Sequence, residues 1–164
     1  MSTAAGAGRV RRLVAVTVLA VVTLAGCTSG PERDPETGEL LEAGDIDVFE
    51  LRVGDCVDGF TDDEQLSTIR AMPCAEEHSD EIYAAVPIPD GDEYPGNEAI
   101  TELANSGCYD EFEAFVGIPW EDSELDFGYL APTEQSWSEG DREILCTVGD
   151  PNRSLTGSLG GANR

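Results

Sequence analysis

Apolar and polar positions alternate with two different periods along this chain, one helical and one strand-like. Between Asn97 and Val116 apolar side chains return every three or four residues, so they form one stripe on a helix: Ile100, Ala104, Cys108, Phe112, Phe115 and Val116. Asn97 is a suitable cap for the start of this helix, and Gly117 followed by Pro119 ends it. Gly107 costs about 1 kcal/mol relative to alanine inside a helix, which indicates close packing at that point.

Shorter segments on both sides of the helix alternate apolar and polar residues, as half-buried strands do. The predicted strands are Cys56–Phe60, Ile69–Cys74, Glu81–Ile88, Phe127–Ala131 and Arg142–Val148, with a last edge strand at Ser154–Leu159. One side of the third strand carries Ile82, Ala84, Val86 and Ile88. Strands before and after one long helix favour an α+β fold: a single small domain in which an antiparallel sheet carries one main helix on one face.

The first 26 residues follow a different pattern, a short basic start and then an unbroken apolar run. Three arginines precede the apolar segment 13–25. Its length is in the range of a signal peptide and is short for a membrane span. Leu24-Ala25-Gly26 then leads directly to Cys27, which is typical of a bacterial lipoprotein signal. This order predicts cleavage after residue 26 and lipidation of Cys27. The alternative is an ordinary signal peptide, with Cys27 as a free thiol.

Lipidation would place the protein at the cell membrane, on the extracytoplasmic face, because the positive start stays on the cytoplasmic side. Residues 27–47 are then predicted to be the lipidated N-terminus and an acidic linker, since prolines and glycines stand among acids with almost nothing to bury. About twenty such residues span roughly 25 Å on average. The folded domain, residues 48–164, is expected to be held off the bilayer.

Charge narrows the choice of partners. Removing residues 1–26 takes away three arginines and no acids, which leaves 6 basic against 34 acidic residues and a formal charge of −28. A charge this negative excludes nucleic acid as a partner and opposes attraction to anionic polymers. It would attract basic partners and divalent cations instead, but the favoured interpretation is that the acidity keeps an exported protein soluble.

Setting Cys27 aside leaves four cysteines, and an even number in an exported domain predicts two disulfides. Folding the first two predicted strands about the polar turn 61–65 puts Cys56 opposite Cys74, within disulfide range. Cys108 on the helix stripe and Cys146 on an apolar strand face both point at the core, so they form the second expected pair. A metal site is disfavoured, because the chain has no C-x-x-C pair and the compartment is oxidising.

Several short motifs around these cysteines have a distinctive order. They are Val53-Gly54-Asp55-Cys56-Val57, Pro73-Cys74-Ala75-Glu76-Glu77-His78, Tyr94-Pro95-Gly96, Cys108, Pro132-Thr133 through Trp137, and Gly140 to Cys146. Through these motifs residues 50–160 resemble the septum formation domain family, found in exported and membrane-anchored proteins of high-GC Gram-positive bacteria. The resemblance implies a link with division-septum formation, and it implies no defined reaction or ligand.

His78 and Trp137 are the candidate binding residues. His78 is the only histidine, and its neighbours Ser79 and Asp80 do not complete a triad, because residues adjacent in sequence rarely form one and the chain has no G-x-S-x-G motif. The favoured interpretation is that His78 hydrogen-bonds the turn into the next strand. Trp137 lies in the polar segment 134–141, where it could stack on a sugar or anchor a partner. Filling the core edge beside the second disulfide is the favoured role.

Clusters of acids occur at 62–64, 90–93 and 122–126. The last cluster has the alternating carboxylates of a calcium loop, but Phe127 stands where the turn glycine is required and Thr133 where the bidentate glutamate is required. No metal and no cofactor are therefore predicted.

Taken together, these patterns predict a lipid-anchored envelope protein that is not an enzyme. It would act as a binding or scaffold module for an envelope or division protein linked to septum formation. Two alternatives stay open: a secreted hydrolase of cell-wall polymer or carbohydrate that uses His78 or paired carboxylates, and an acidic module that responds to divalent cations. The sequence leaves the ligand, the partner and the oligomeric state undefined.

Overall fold

Six strands and one long helix dominate the part of the protein that the computed structural model describes, residue 1 and residues 30–59, 67–89 and 91–164. The strands are β1 (Gly44–Asp47), β2 (Cys56–Asp58), β3 (Thr68–Met72), β4 (Asp80–Pro87), β5 (Asp126–Leu130) and β6 (Glu143–Gly149), and the helices are α1 (Asn97–Val116) and the short α2 (Glu134–Ser138). All pairings are antiparallel, in the order β1-β3-β2-β4-β6-β5. The predicted α+β class is confirmed. The predicted signal peptide, Cys27 and the turn 61–65 lie outside the described residues.

The predicted strands lie within two residues of their predicted ends, with one exception. Ser154–Leu159 is not a strand and makes only an isolated bridge, between Leu155 and His78. The shared side predicted for the third strand is also wrong at its start, because a register shift separates Ile82 from Ala84 in β4. Ile82 therefore packs in one hydrophobic cluster and Ala84 in the other.

Both faces of the sheet are covered, each by its own hydrophobic cluster. The apolar stripe of α1 is buried, as predicted, against β4 and β6: Ile100, Ala104, Cys108, Phe112 and Val116. Neighbouring residues of a strand point to opposite faces. Accordingly Ile144 and Cys146 belong to the α1 cluster, while Leu145 between them belongs to the second cluster. Leu40 and Leu51, outside the sheet, complete that second cluster.

Residues 30–47, predicted to be a linker, are part of the folded domain. β1 pairs with β3 along four residues at the edge of the sheet. Leu40 and Ile46 are only 5% and 3% exposed. Arg33 donates two hydrogen bonds, of 2.6 and 2.7 Å, to the carboxylate of Asp55, which is 4% exposed. The linker prediction is therefore wrong for these residues, because two well-placed apolar side chains and one ion pair are enough to fix an otherwise polar segment.

The two predicted disulfides, Cys56–Cys74 and Cys108–Cys146, are both present, with Cα atoms 5.2 and 5.4 Å apart. The register corrects one step of the prediction: Cys56 lies opposite Met72, so the first bond runs diagonally to a residue beyond the end of β3. The second bond joins the middle of α1 to β6, and both of its cysteines are fully buried.

Gly107 packs closely against Val86 of β4, so the close packing predicted from its place inside the helix is confirmed. A Cβ atom added there would lie 2.8 and 3.0 Å from the two Cγ atoms of Val86. We expect Gly107→Ala to lower the free energy of unfolding by about 1–2 kcal/mol, because overpacking a stiff valine costs more than the roughly 1 kcal/mol gained in helix propensity. Urea unfolding measures the change.

A Val86→Ala background is the control for this prediction. With the two Cγ atoms gone, Gly107→Ala should be neutral or stabilising, since only the gain in helix propensity remains. If Gly107→Ala had the same effect in both backgrounds, contact with Val86 would not be its cause.

The last residues of the chain close the domain without forming a strand. Ser158 Oγ and Leu159 N donate hydrogen bonds of 2.8 and 2.6 Å to the carboxylate of Glu81, which is 2% exposed. Further along, Gly161 N donates to the carbonyl oxygen of Phe115 at the end of α1. A buried carboxylate needs such donors to offset its lost hydration, so the C-terminal segment supplies the hydrogen bonds that this buried side chain requires.

Candidate functional site

A cleft of about 920 Å³ opens beside the N-terminus of α1, between the loop before α1 and the segment around α2. We call it the α1–α2 cleft; its lining residues are Asp92, Glu93, Tyr94, Gly96, Asn97, Pro132, Thr133, Glu134, Trp137 and Ser138. Three of these are exposed acids, and two are aromatic. The cleft therefore combines an acidic rim with an aromatic wall.

Glycine and threonine set the backbone on the two sides of this cleft. Gly96 has φ 95°, a left-handed value that glycine adopts without strain, and it is the residue before the first turn of α1. The predicted role of Asn97 as the cap is wrong, because Asn97 is the first helical residue and α1 has no side-chain cap. On the other side, Thr133 and Ser136 form a capping box that starts α2 and positions Glu134 and Trp137.

Trp137 forms the wall between the α1–α2 cleft and the core. It is 3% exposed and belongs to the same cluster as Cys108 and Cys146, so the predicted role at the core edge is confirmed. The guanidinium carbon of Arg142 lies 3.6 Å from the ring centroid, a cation–π contact that covers one face of the ring. Among the described residues its indole N–H has no hydrogen-bond partner. Trp137 therefore supports the cleft and does not offer a free face for stacking on a sugar.

Tyr94 links the two sides of the cleft. Its hydroxyl lies 2.7 Å from Asn97 Oδ1 and 3.1 Å from the carbonyl oxygen of Pro132, and its ring meets Trp137 edge-on at 5.9 Å. Desolvation raises the pKa of the Tyr94 hydroxyl above its ordinary value, and the negative charge of Glu134 raises it further. The hydroxyl therefore stays protonated and acts as a hydrogen-bond donor.

His78 lies away from this cleft. It is 1% exposed, its Nδ1 is 2.9 Å from the carbonyl oxygen of Glu76, and its backbone is paired with Leu155. The predicted hydrogen bond to the turn is confirmed. His78 precedes β4 at the end where Asp80 pairs with Gly149, whereas Trp137 contacts Arg142 at the other end of the β4–β6 pair. The structure does not bring the two candidate residues together.

The neighbours of His78 are engaged in other contacts. The hydroxyl of Ser79 lies 2.7 Å from an Asp80 carboxylate oxygen and 3.2 Å from the carbonyl oxygen of Val57. Within residues 30–59, 67–89 and 91–164, Nε2 of His78 has no hydrogen-bond partner. This arrangement lacks the hydroxyl–imidazole contact through which a serine nucleophile is activated.

One group of potential metal ligands lies close together in the described part of the chain: Cys56, Cys74 and Glu81, with ligand atoms within 4.8 Å of one another. Both sulfurs are joined in a disulfide, and metal binding by cysteine requires the free thiolate. The Glu81 carboxylate already accepts hydrogen bonds from Ser158 and Leu159. The group is part of the packing of the domain.

The three acidic clusters predicted from the sequence lie in different places. Residues 62–64 and Asp90 lie outside the described residues, while Asp92 and Glu93 line the cleft. In the third cluster, Asp126 accepts a hydrogen bond of 3.0 Å from Trp120 Nε1.

The sequence contained a signal for the cleft in Tyr94-Pro95-Gly96. The contact of Tyr94 with Pro132, 38 residues away, cannot be predicted from a local pattern.

In the ranges that the structure covers, no helix has both the length and the apolar character to cross a bilayer.

A disulfide-linked α+β domain with an acidic cleft is the class of protein that this geometry defines. Residues 52–162 match the family model for septum formation, so the chain belongs to the septum formation family. It is also similar to the predicted lipoprotein LppN of Mycobacterium tuberculosis and to its counterpart in Mycobacterium bovis. Each is 26% identical over 167 residues, with 89% of this chain and 92% of the relative covered. No solved structure matches the chain significantly. The family match and the similarity to the two lipoproteins support an envelope lipoprotein.

Proposed function

We propose that this protein is a lipid-anchored, non-catalytic binding module on the extracytoplasmic face of the cell membrane, linked to septum formation. The α1–α2 cleft is its binding site, and a basic segment of an envelope or division protein is its ligand. The observation that carries this proposal is the cleft lining, in which three exposed carboxylates surround two aromatic residues and no basic side chain is present among the described lining residues.

Electrostatics supports a basic ligand. Asp92, Glu93 and Glu134 place three like charges around one opening, and the formal charge of −28 on residues 27–164 adds a long-range field of the same sign. Such a field speeds the encounter with a positively charged partner. A Lys or Arg side chain that enters the cleft would exchange part of its hydration for contacts with carboxylates and with the edge of Tyr94.

Anchoring is supported by the sequence around Cys27 and by the relatives. The match covers 89% of this chain, and the residues that it leaves uncovered are too few to reach position 27 from either end. The similarity to a predicted lipoprotein therefore extends over the segment that contains Cys27. Two or more acyl chains on this residue would give durable membrane attachment.

A non-catalytic role is supported by the places of His78 and Ser79. The only histidine of the chain is buried at a distance from the α1–α2 cleft, and the hydroxyl of Ser79 contacts Asp80 and Val57. The rival function, hydrolysis of wall polymer or carbohydrate, has a direct test. Turnover by the purified protein that His78→Ala abolished, without loss of folding, would overturn the non-catalytic assignment.

Site-specific photo-crosslinking in living cells tests the binding site. A photoreactive phenylalanine analogue in place of Ser138, on the rim of the cleft, is expected to crosslink one envelope or division protein. The same analogue in place of Ser106, exposed on α1, should not. Absence of any product from position 138, or the same products from both positions, would contradict the proposed site.

Charge neutralisation distinguishes binding by the cleft from attraction by the net charge of the domain. The triple variant Asp92→Asn, Glu93→Gln and Glu134→Gln is expected to abolish the crosslink and to impair septum formation. The control triple variant Glu102→Gln, Asp110→Asn and Glu113→Gln removes the same charge from exposed positions of α1 and should retain both. Equal losses in the two variants would assign binding to overall charge and not to the cleft.

A further inference from the structure

Three large apolar side chains are exposed between residues 41 and 53, close to Gly30. Leu41 is 54% exposed, Phe49 is 59% exposed and Val53 is 52% exposed. Together they are called the anchor face. Other apolar side chains of the same segments are buried: Leu40 and Leu51 are only 5% and 6% exposed. The anchor face therefore consists of side chains that the fold leaves out of its core.

The segments that carry these residues are fixed to one another and to Gly30. A Cβ atom added at Gly30 would lie 3.3 Å from Glu50 Oε2, so the chain at Gly30 runs against the 3₁₀ turn Val48–Glu50, which contains Phe49. Leu41 N donates a hydrogen bond of 2.9 Å to the carbonyl oxygen of Glu32. Arg33 donates to the carbonyl oxygen of Glu50 and to Asp55, on the two sides of Val53.

Only a very short tether separates Gly30 from the predicted lipid attachment. Cys27 precedes Gly30 by three residues, and three residues extend at most about 10 Å. The headgroup region of each leaflet is about 5–8 Å thick, from the difference between the whole bilayer and its hydrocarbon core. Acyl chains on Cys27 would thus hold Gly30, and the 3₁₀ turn beside it, at the level of the headgroups. The roughly 25 Å of free linker expected for residues 27–47 is not available, because residues 30–47 are folded.

We infer that Leu41, Phe49 and Val53 form a membrane-contacting face that rests in the headgroup region of the outer surface of the bilayer and gives the domain one orientation. The inference rests on the proposed lipidation of Cys27. It commits to lipid as the occupant because the chain outside the described structure leads from this face to the lipidated residue. Amphipathic surfaces of this kind partition into the interface by burying their apolar side chains.

The orientation has a consequence for the binding site. Leu40, which precedes Leu41, and Leu51, which lies between Phe49 and Val53, pack in the second hydrophobic cluster, on the side of the sheet opposite α1. With the anchor face on the bilayer, the outer surface of α1, which exposes Leu103, and the α1–α2 cleft beside the start of α1 are turned toward the cell wall.

Depth-dependent quenching of tryptophan tests this orientation in the mature acylated protein, residues 27–164. Phe49→Trp is reconstituted into phosphatidylcholine vesicles with and without brominated acyl chains. Leu103→Trp is the matched control, an exposed leucine of α1 on the other side of the sheet. The native Trp120 and Trp137 both lie on the α1 side, and wild type gives their background. We expect the emission added by Phe49→Trp to shift to the blue and to be largely lost with brominated lipid, and the emission added by Leu103→Trp to be retained.

The outcomes are distinguishable. Equal quenching of the two added tryptophans, or none for Phe49→Trp in protein that floats with the vesicles, overturns the inference and leaves the lipid anchor intact. If the emission of Phe49→Trp shifts to the blue without being quenched by brominated lipid, and the shift disappears on dilution, the anchor face contacts a second copy of the chain and not the bilayer. Mature protein without acyl chains by mass spectrometry, which fails to float, would overturn the proposed anchoring itself.

Discussion

Replacing Cys108 and Cys146 together by alanine is expected to lower the free energy of unfolding by about 4 kcal/mol, from the chain-entropy estimate for a loop of this size. The bond closes a separation of 38 residues, so its loss frees a long stretch of the unfolded chain. It also joins α1 to β6 at two fully buried positions, where the hydroxyl of Tyr83 donates a hydrogen bond to the carbonyl oxygen of Cys108. Small domains have only about 5–15 kcal/mol of stability in total.

Calorimetry of the variant should show a decrease in Tm of roughly 10–20 °C for a domain of this size. The matched control is Cys56→Ala with Cys74→Ala, which removes the other disulfide. Its separation is 18 residues, so the expected loss is smaller, about 3 kcal/mol. An order of effects opposite to this one would show that strain or packing, and not loop closure, decides what each bond contributes.

Arg33→Ala is the second large effect that we expect, a loss of about 3 kcal/mol. The substitution leaves the carboxylate of Asp55 buried without its charged partner, and breaking a buried pair costs more than the pair itself contributes. The backbone N–H of Arg52 still donates to Asp55 at 2.8 Å, which places the estimate at the low end of the usual range. The hydrogen bond with Asp55 raises the pKa of Arg33 above its ordinary value, so the guanidinium keeps its charge as pH rises.

Urea unfolding and limited proteolysis measure this prediction together. Loss of the pair should speed cleavage within residues 30–43, since this segment depends on Arg33 and Leu40 for its attachment. Arg52→Ala is the control: it removes the same charge from an exposed side chain of the same part of the fold and should change the free energy of unfolding by less than about 0.5 kcal/mol. If Arg33→Ala behaved like Arg52→Ala, the segment would be held by β1 and its apolar contacts alone.

Local periodicity was enough to predict α1 and both disulfides. The helix ends where its apolar stripe ends. Gly117 follows it in the left-handed conformation that is common just after the C-terminal end of a helix. Cys108 and Cys146 each stand on an apolar face, so one core brings them together. The helix depends on spacing within a single element, which the sequence displays directly, whereas each disulfide joins two elements and was predicted from the strand pairing or the apolar faces that carry its cysteines.

Other features depend on contacts between distant segments, and sequence patterns did not reveal them. Residues 30–47 are polar by composition, yet Arg33 binds Asp55, which is 22 residues away, and β1 pairs with the edge strand β3. The cleft arises because Tyr94 and Trp137 meet from two loops. The register shift in β4 likewise depends on its partner β6. In each case tertiary packing, and not local preference, selects the conformation.

The hydrogen bonds to Glu81 have a consequence for the order in which this protein completes its fold. The donors to the Glu81 carboxylate come from residues 158 and 159, which follow it by 77 and 78 positions. Until those residues are in place, this buried side chain of β4 lacks the donors that offset its lost hydration. We therefore expect the packing around β4 to be completed only when the C-terminal segment docks against it, which makes this contact a late, long-range step of folding.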